Sequence, residues 1–375
     1  MMRTEDGISG RQLAATGFVL MLSPALRLFP AAAAAWAGKG VWLSALLAFP
    51  PAALYLWLFR RLAEKRRAGE GLGELIARAA PGRAGRMALL MLTLWLCVYA
   101  GFVLRSGADR FLVTVYPNTP PAFFILTMLL AALLASLIPL RAAARTAGLF
   151  LAPIAPILTL VLLAALPAVR KGNLLPLSPA DLPGVLGGTL AALDVLLWAI
   201  GAAAILLPGV RRGGVPYGRL LPALAAACGV LALLGADTVG SFGAALTQEL
   251  SWPFFSLVRN LVFFRSIERV EALVVALWVF PDFLIAALFL RAARHALSLS
   301  LGRRWPLFSD TRCASALCAA GSAAFALLAA PDGKTLTLLS GTVIPGVSLF
   351  FALVFFPALL GLGRLRGRNR VGGAE

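Results

Sequence analysis

Apolar stretches of about twenty residues, separated by short clusters of charge, glycine and proline, run along almost the whole chain. A helix rises about 1.5 Å per residue and the hydrocarbon core of a bilayer is about 30 Å thick, so each stretch has the length of a membrane-crossing helix. Backbone amides in lipid must pair within their own segment, which makes helix the form such stretches take. Ending each stretch at charges, glycines and prolines predicts ten spans, near residues 11–36, 41–59, 87–106, 122–140, 146–167, 184–208, 217–240, 271–292, 313–330 and 336–360. The expected fold class is therefore all-α integral membrane, with about ten transmembrane helices. Two connecting segments carry a pattern of their own. Residues 60–86 are strongly basic and expected to be partly helical. Residues 240–270 hold Trp252, Pro253, Phe254 and Phe255, the make-up of a membrane-lying or re-entrant lid. No Ser/Gly linker separates the spans, so residues 1–375 read as a single membrane domain.

Composition agrees. Hydrophobic residues make up 60% of the chain and charged residues 13%, against about one quarter charged in soluble domains. A net charge of +18 raises the question of nucleic acid. Its basic residues, however, sit in the gaps between apolar runs rather than among aromatics on one exposed face. The partner they predict is the anionic surface of a lipid bilayer, and no nucleic acid is expected. Positive residues near span ends resist translocation. Most of the 34 lysines and arginines fall on one side if the layout alternates from a cytoplasmic N-terminus, and the C-terminus is then cytoplasmic too. Arg3 and Arg11 before the first run, and the alanines Ala31 to Ala35 after it, also fit a cleaved signal peptide; the run is read as a span.

Catalytic and metal chemistry have little to build on. Cys97, Cys228, Cys313 and Cys318 lie in or beside apolar runs without ligand spacing and read as packing residues. His295, the only histidine, lies in a basic stretch and reads as a solvated helix-end or loop residue. No cofactor, no metal and no enzymatic activity are expected.

Ten spans divide into five and five, and an odd unit repeats with inverted topology, giving a first repeat over about 11–167 and a second over about 184–360. Transporters of that design hold substrate at the midplane, where the opening helix of each half is interrupted. The first span carries Ser23, Pro24, Leu26, Arg27 and Pro30 near its middle. Proline removes an amide donor and leaves carbonyls unpaired, while an arginine at that depth costs about 2.5 kcal/mol or more unless paired or hydrated. In the sixth span Asp194, Trp198 and Gly201 share one helical face. Ser23, Pro24, Leu26, Arg27, Asp194, Trp198 and Gly201 are thus the candidate ligand-binding residues. An Arg27–Asp194 pair would offset two buried charges, the alternative being a protonated or backbone-bonded Asp194. Asp282, after Pro281 in the eighth span, is the candidate ion-coupling residue, or else a neutral structural acid. Asp237 lies near the outer end of the seventh span and is expected to reach the interface. Glu268 and Glu271 read as a solvated face before the eighth span, with an ion entrance as the alternative.

Several segments, in order, resemble the B subunit of bacterial spore nutrient germinant receptors, the spore germination permease family. They are Leu22 to Pro30 followed by Gly38-Lys39-Gly40-Val41-Trp42, then Tyr116-Pro117-Asn118-Thr119-Pro120 and Asn173-Leu174-Leu175-Pro176. Later come Trp252-Pro253, Arg259 and Ile267-Glu268-Arg269-Val270-Glu271 leading to Leu277-Trp278-Val279. The resemblance covers about residues 8 to 360. It implies the fold of the amino acid, polyamine and organocation transporters, used in the spore inner membrane to sense a small germinant such as an amino acid. It also implies A and C subunits as partners. Ser23-Pro24 stands where related first helices show glycine, and Arg27 is not expected there; both departures bear on ligand chemistry. The alternative function is a secondary transporter of an amino acid or organic cation, with Asp194 or Asp282 coupling to a proton or sodium ion.

Overall fold

The computed structural model describes residues 7–64, 66–67, 69–114, 116–211, 217–260, 270–302, 304–330 and 332–358. Among them the chain is helical almost throughout, and its one β-type contact is an isolated parallel bridge between Ile8 and Val210.

The first expected span is two helices, α1 (Gly10–Arg27) and α2 (Phe29–Ala37), parted at Leu28. A capping box starts α1: Gln12 N donates to Ser9 Oγ (3.3 Å), and Ser9 N donates to Gln12 Oε1 (2.9 Å). Pro24 lies within α1, and the break comes before Pro30, whose ring and missing N–H leave the Leu26 carbonyl without a helical donor. Beyond Gly38, held at φ +53°, follow α3 (Val41–Leu47), α4 (Phe49–Glu64), α5 (Leu72–Ala79), α6 (Arg83–Thr114), α7 (Pro121–Ser136), α8 (Leu140–Ala165) and α9 (Leu182–Ala203). The 3-10 turns of Ala204–Gly209 continue α9. The chain goes on with α10 (Tyr217–Phe242), α11 (Ala244–Glu249), α12 (Pro253–Asn260), α13 (Val270–Leu301) and α14 (Thr311–Leu328). The last stretch is α15 (Gly333–Leu338), a π segment Leu339–Val343, α16 (Ile344–Phe350) and a second π segment Phe351–Phe355.

Among the described residues, eight stretches are long and apolar enough to cross a membrane, against ten expected. One of the eight, Phe29–Glu64, joins the end of the first expected span to the second, and Pro121–Ser136 is a shorter apolar helix. The expected helix in the basic segment is α5, and the expected lid begins as α11 and α12, with Phe254, Leu257 and Val258 buried.

The core is built around α9, which packs on α1, α2, α3 and α4, while α6 lies along α13. Glycines let α9 approach α2. A β-carbon at Gly184 would stand 2.5 Å from the Trp36 carbonyl oxygen, and one at Gly188 would stand 2.7 Å from Ala37 Cβ. Small residues spaced in this way are how helices gain van der Waals contact in lipid, where no hydrophobic drive brings them together.

Asp237 does not reach an interface. It is 0% exposed, with neither carboxylate oxygen bonded among the described residues, because the chain closes over the end of α10. Arg170 N and Asn173 Nδ2 both donate to Gly240 O (3.0 and 2.9 Å), and Thr247 Oγ1 donates to Thr238 O (3.3 Å).

Candidate ligand site

Ser23, Pro24, Leu26 and Arg27 are all buried in the last turns of α1, against α9 and α13. Ser23 Oγ donates to Asp282 Oδ1, and the other carboxylate oxygen lies 3.1 Å from Arg110 Nη2. Asp282 thus ties the end of α1 to α13 and α6. Both side chains of the ion pair are buried, Asp282 to 1% exposure and Arg110 to 6%. Arg110 also stands 5.2 Å from the centroid of the Trp252 ring, so the segment between α11 and α12 covers this cluster.

Arg27 does not pair with Asp194. Its guanidinium carbon sits 4.1 Å from the Phe102 ring centroid and 5.9 Å from that of Trp252, and Nη2 donates to Ser340 Oγ at 3.2 Å. Phe102 on α6 and Ser340 in the first π segment therefore hold the side chain, in place of the Asp194 carboxylate on α9. Asp194 is itself buried, and its Oδ1 has no partner among the described residues.

Trp198 and Gly201, one and two turns further along α9, line a cavity of about 330 Å³. Trp95, Phe289 and Phe351 form its apolar wall, while Glu74 and His295 stand at its polar edge. Tyr99 stacks on Trp198 (centroids 4.7 Å apart) and meets Phe102 edge-on at 5.9 Å. Phe102 carries Arg27 in turn, so Tyr99 forms the layer between cavity and charged cluster. Its phenol lies within electrostatic reach of Asp194, Arg27 and Asp282.

The sixth span is not interrupted at Asp194–Gly201. No proline falls between Pro183 and Pro208, so nothing removes an amide donor there, and α9 runs unbroken to Ala203 before tightening into 3-10 turns. Glu268 and the Glu271 side chain lie outside the described residues. His295 is on α13 rather than in a loop, and its Nε2 is 2.6 Å from Glu74 Oε1. Burial raises the Glu74 carboxyl, but the His295 contact and the Gly71 N–H outweigh it and leave it below its ordinary value. Cys97, Cys228 and Cys318 are buried free thiols, consistent with packing.

Arg110, Tyr99 and Ser340 were not anticipated as site residues. Arg110 was legible only as a charge beyond the end of the third span, which the structure extends to Thr114. Tyr99 and Ser340 carry no signal in an apolar run.

The model of the family described as spore germination protein matches residues 8–299. The chain belongs to that family. No curated protein matches it by sequence. Its fold is similar to that in the crystal structure of MhsT in complex with L-phenylalanine, at a TM-score of 0.52 and 15% identity over 89% of this chain and 88% of that one. The family, with the apolar helices, makes this a multi-pass membrane protein of the permease or germinant-receptor type, and its fold is that shared with the MhsT structure.

Proposed function

We propose that this member of the spore germination family is the membrane subunit of a nutrient germinant receptor in the spore inner membrane. A small germinant, an amino acid in the first instance, binds between the first and sixth spans, and the change this makes in the helices is passed to A and C subunits. The observation that carries the reading is the broken first helix: Ser23 and Arg27 stand beside its Leu28 break, buried with Asp194, Asp282 and Tyr99 next to an aromatic-walled cavity. A ligand that shifts a conformational equilibrium must bind one state better than the other. A site whose charged cluster ties α1, α6, α13 and the last helix together through Asp282 and Arg27 offers such a difference, because a ligand there competes with those ties. The inverted repeat over about 11–167 and 184–360, the cytoplasmic termini and the ligand roles of Pro24, Leu26, Trp198 and Gly201 belong to the same proposal.

Germination of spores lacking the gene, together with co-purification of the chain with the two partner subunits, tests it. Loss of response to a nutrient and recovery of a three-part complex support the receptor. Full nutrient response in the deletion strain counts against it.

Secondary transport is the second reading, favoured by the Ser23–Asp282 contact at the helix break, where a proton or sodium ion would couple to substrate. Uptake of labelled amino acids by the purified protein alone in proteoliposomes would establish it.

A further inference from the structure

We propose that Arg27 is the receptor for the ligand's carboxylate, with the Ser340 hydroxyl positioning it, so that the site selects carboxylate-bearing molecules over neutral ones of the same shape. The inference rests on the ligand site proposed above and names its chemistry.

The carrying observation is a buried charge with no counter-ion among the described residues. Arg27 is 8% exposed, and its guanidinium is in salt-bridge contact with none of the described carboxylates. The neighbouring carboxylates are engaged elsewhere: Asp282 takes Arg110 and Ser23, and Asp109 stands 3.6 Å from Arg105. A guanidinium presents five N–H donors in a planar fork, and among the described residues the fork has one hydrogen-bond partner, Ser340 Oγ. The Phe102 and Trp252 rings attract the cation through their faces. They offer no lone pairs, so the edge of the fork keeps donors for an anion.

Ser340 is set for this task. Its hydroxyl donates to the Leu336 carbonyl at 2.6 Å, so its oxygen faces Arg27 as an acceptor and fixes one arm of the fork. Arginine rather than lysine at such a place matches a carboxylate with two parallel hydrogen bonds, which a spherical inorganic anion cannot use in the same way. The Phe102 and Trp252 rings beside it suit an apolar remainder on the ligand.

The test is a thermal-shift titration of the detergent-solubilised full chain with the standard amino acids, their carboxamides, sodium acetate, sodium chloride, sugars and nucleosides. The amino acid that raises the melting temperature is expected to do so at concentrations about tenfold or more below its amide, because the amide offers the fork one neutral acceptor in place of two charged ones. In Arg27→Gln the acid and the amide should converge, and Arg27→Lys should recover part of the preference. Ser340→Ala should narrow the gap without abolishing it, which a merely structural serine would not do. Equal binding of acid and amide, a preference that survives Arg27→Gln, or a shift from uncharged nutrients alone overturns the carboxylate receptor and leaves the ligand site standing. A full shift from acetate or chloride makes Arg27 an inorganic counter-ion site and overturns it as well. No shift from any nutrient removes the ligand-site reading itself. Where Arg27→Gln fails to fold, the acid-to-amide comparison on the parent protein decides alone.

Discussion

Removing both partners of the Arg110–Asp282 pair should destabilise the bundle by less than the sum of the two single removals. The pair is 3.1 Å apart and both side chains are buried, so at an effective dielectric of about 20 its Coulomb attraction is about 5 kcal/mol. Desolvation of the two ions takes back much of that, but the variant that loses one partner keeps the other's desolvation penalty without the attraction. Asp282→Asn preserves shape and an acceptor for Ser23 while removing the Asp282 charge that faces Arg110, and is expected to cost about 3–5 kcal/mol. Arg110→Gln should cost a similar amount, and the double variant less than the sum, with a coupling of about 2–3 kcal/mol. Equilibrium unfolding of the four proteins in mixed detergent micelles measures the cycle. Additive single costs, or a stable Asp282→Asn, would refute the claim that this pair holds α6 to α13.

Asp194→Asn should raise the nutrient concentration needed for half-maximal response by about tenfold, since the buried Oδ1 has no partner among the described residues and is left for a ligand; an unchanged dose response removes Asp194 from the site. Gly184→Ala should destabilise by about 1–3 kcal/mol, because its β-carbon would meet the Trp36 carbonyl at 2.5 Å. Gly229→Ala, with nothing within 4 Å, should be neutral or stabilising, and equal effects in an unfolding titration would contradict the α2–α9 packing. The Glu74–His295 pair supplies a pH test. The Glu74 carboxyl lies below its ordinary value in the folded protein. Its stabilisation is therefore present above the unfolded-state value and lost as pH falls through the folded one. His295 is half exposed, so the effect is under about 1 kcal/mol. The melting temperatures of the parent and Glu74→Gln should differ at neutral pH and converge in acid; a gap that persists in acid refutes the pairing.

The sequence exposes some of these features and hides others for physical reasons. Hydropathy shows the helical stretches because lipid demands long apolar runs, and the prolines at 24 and 30 show the break because proline acts locally. The α9 reading failed for the same reason: Asp194 and Gly201 sit on one face, but without a proline between them the helix does not open. Ending the third span near residue 106, with Arg105 and Arg110 counted outside it, treated charge as an exit from the membrane. In the structure Arg105 donates to the Ala330 carbonyl at 2.8 Å and Arg110 meets Asp282, so both find polar partners inside the bundle and α6 continues. The Ser23–Asp282 and Arg27–Ser340 contacts join residues 259 and 313 positions apart. Only tertiary packing decides which buried acid meets which buried base, so no spacing rule would have moved Arg27 from Asp194 to Ser340.

The most direct test is the nutrient dose response of dormant spores carrying Arg27→Gln or Trp198→Ala, with Leu130→Ala, an exposed apolar position on α7, as control. A ligand held at the break of the first helix and against α9 predicts that both site variants need at least about tenfold more nutrient while the control matches the parent. Site variants that respond like the control would contradict it.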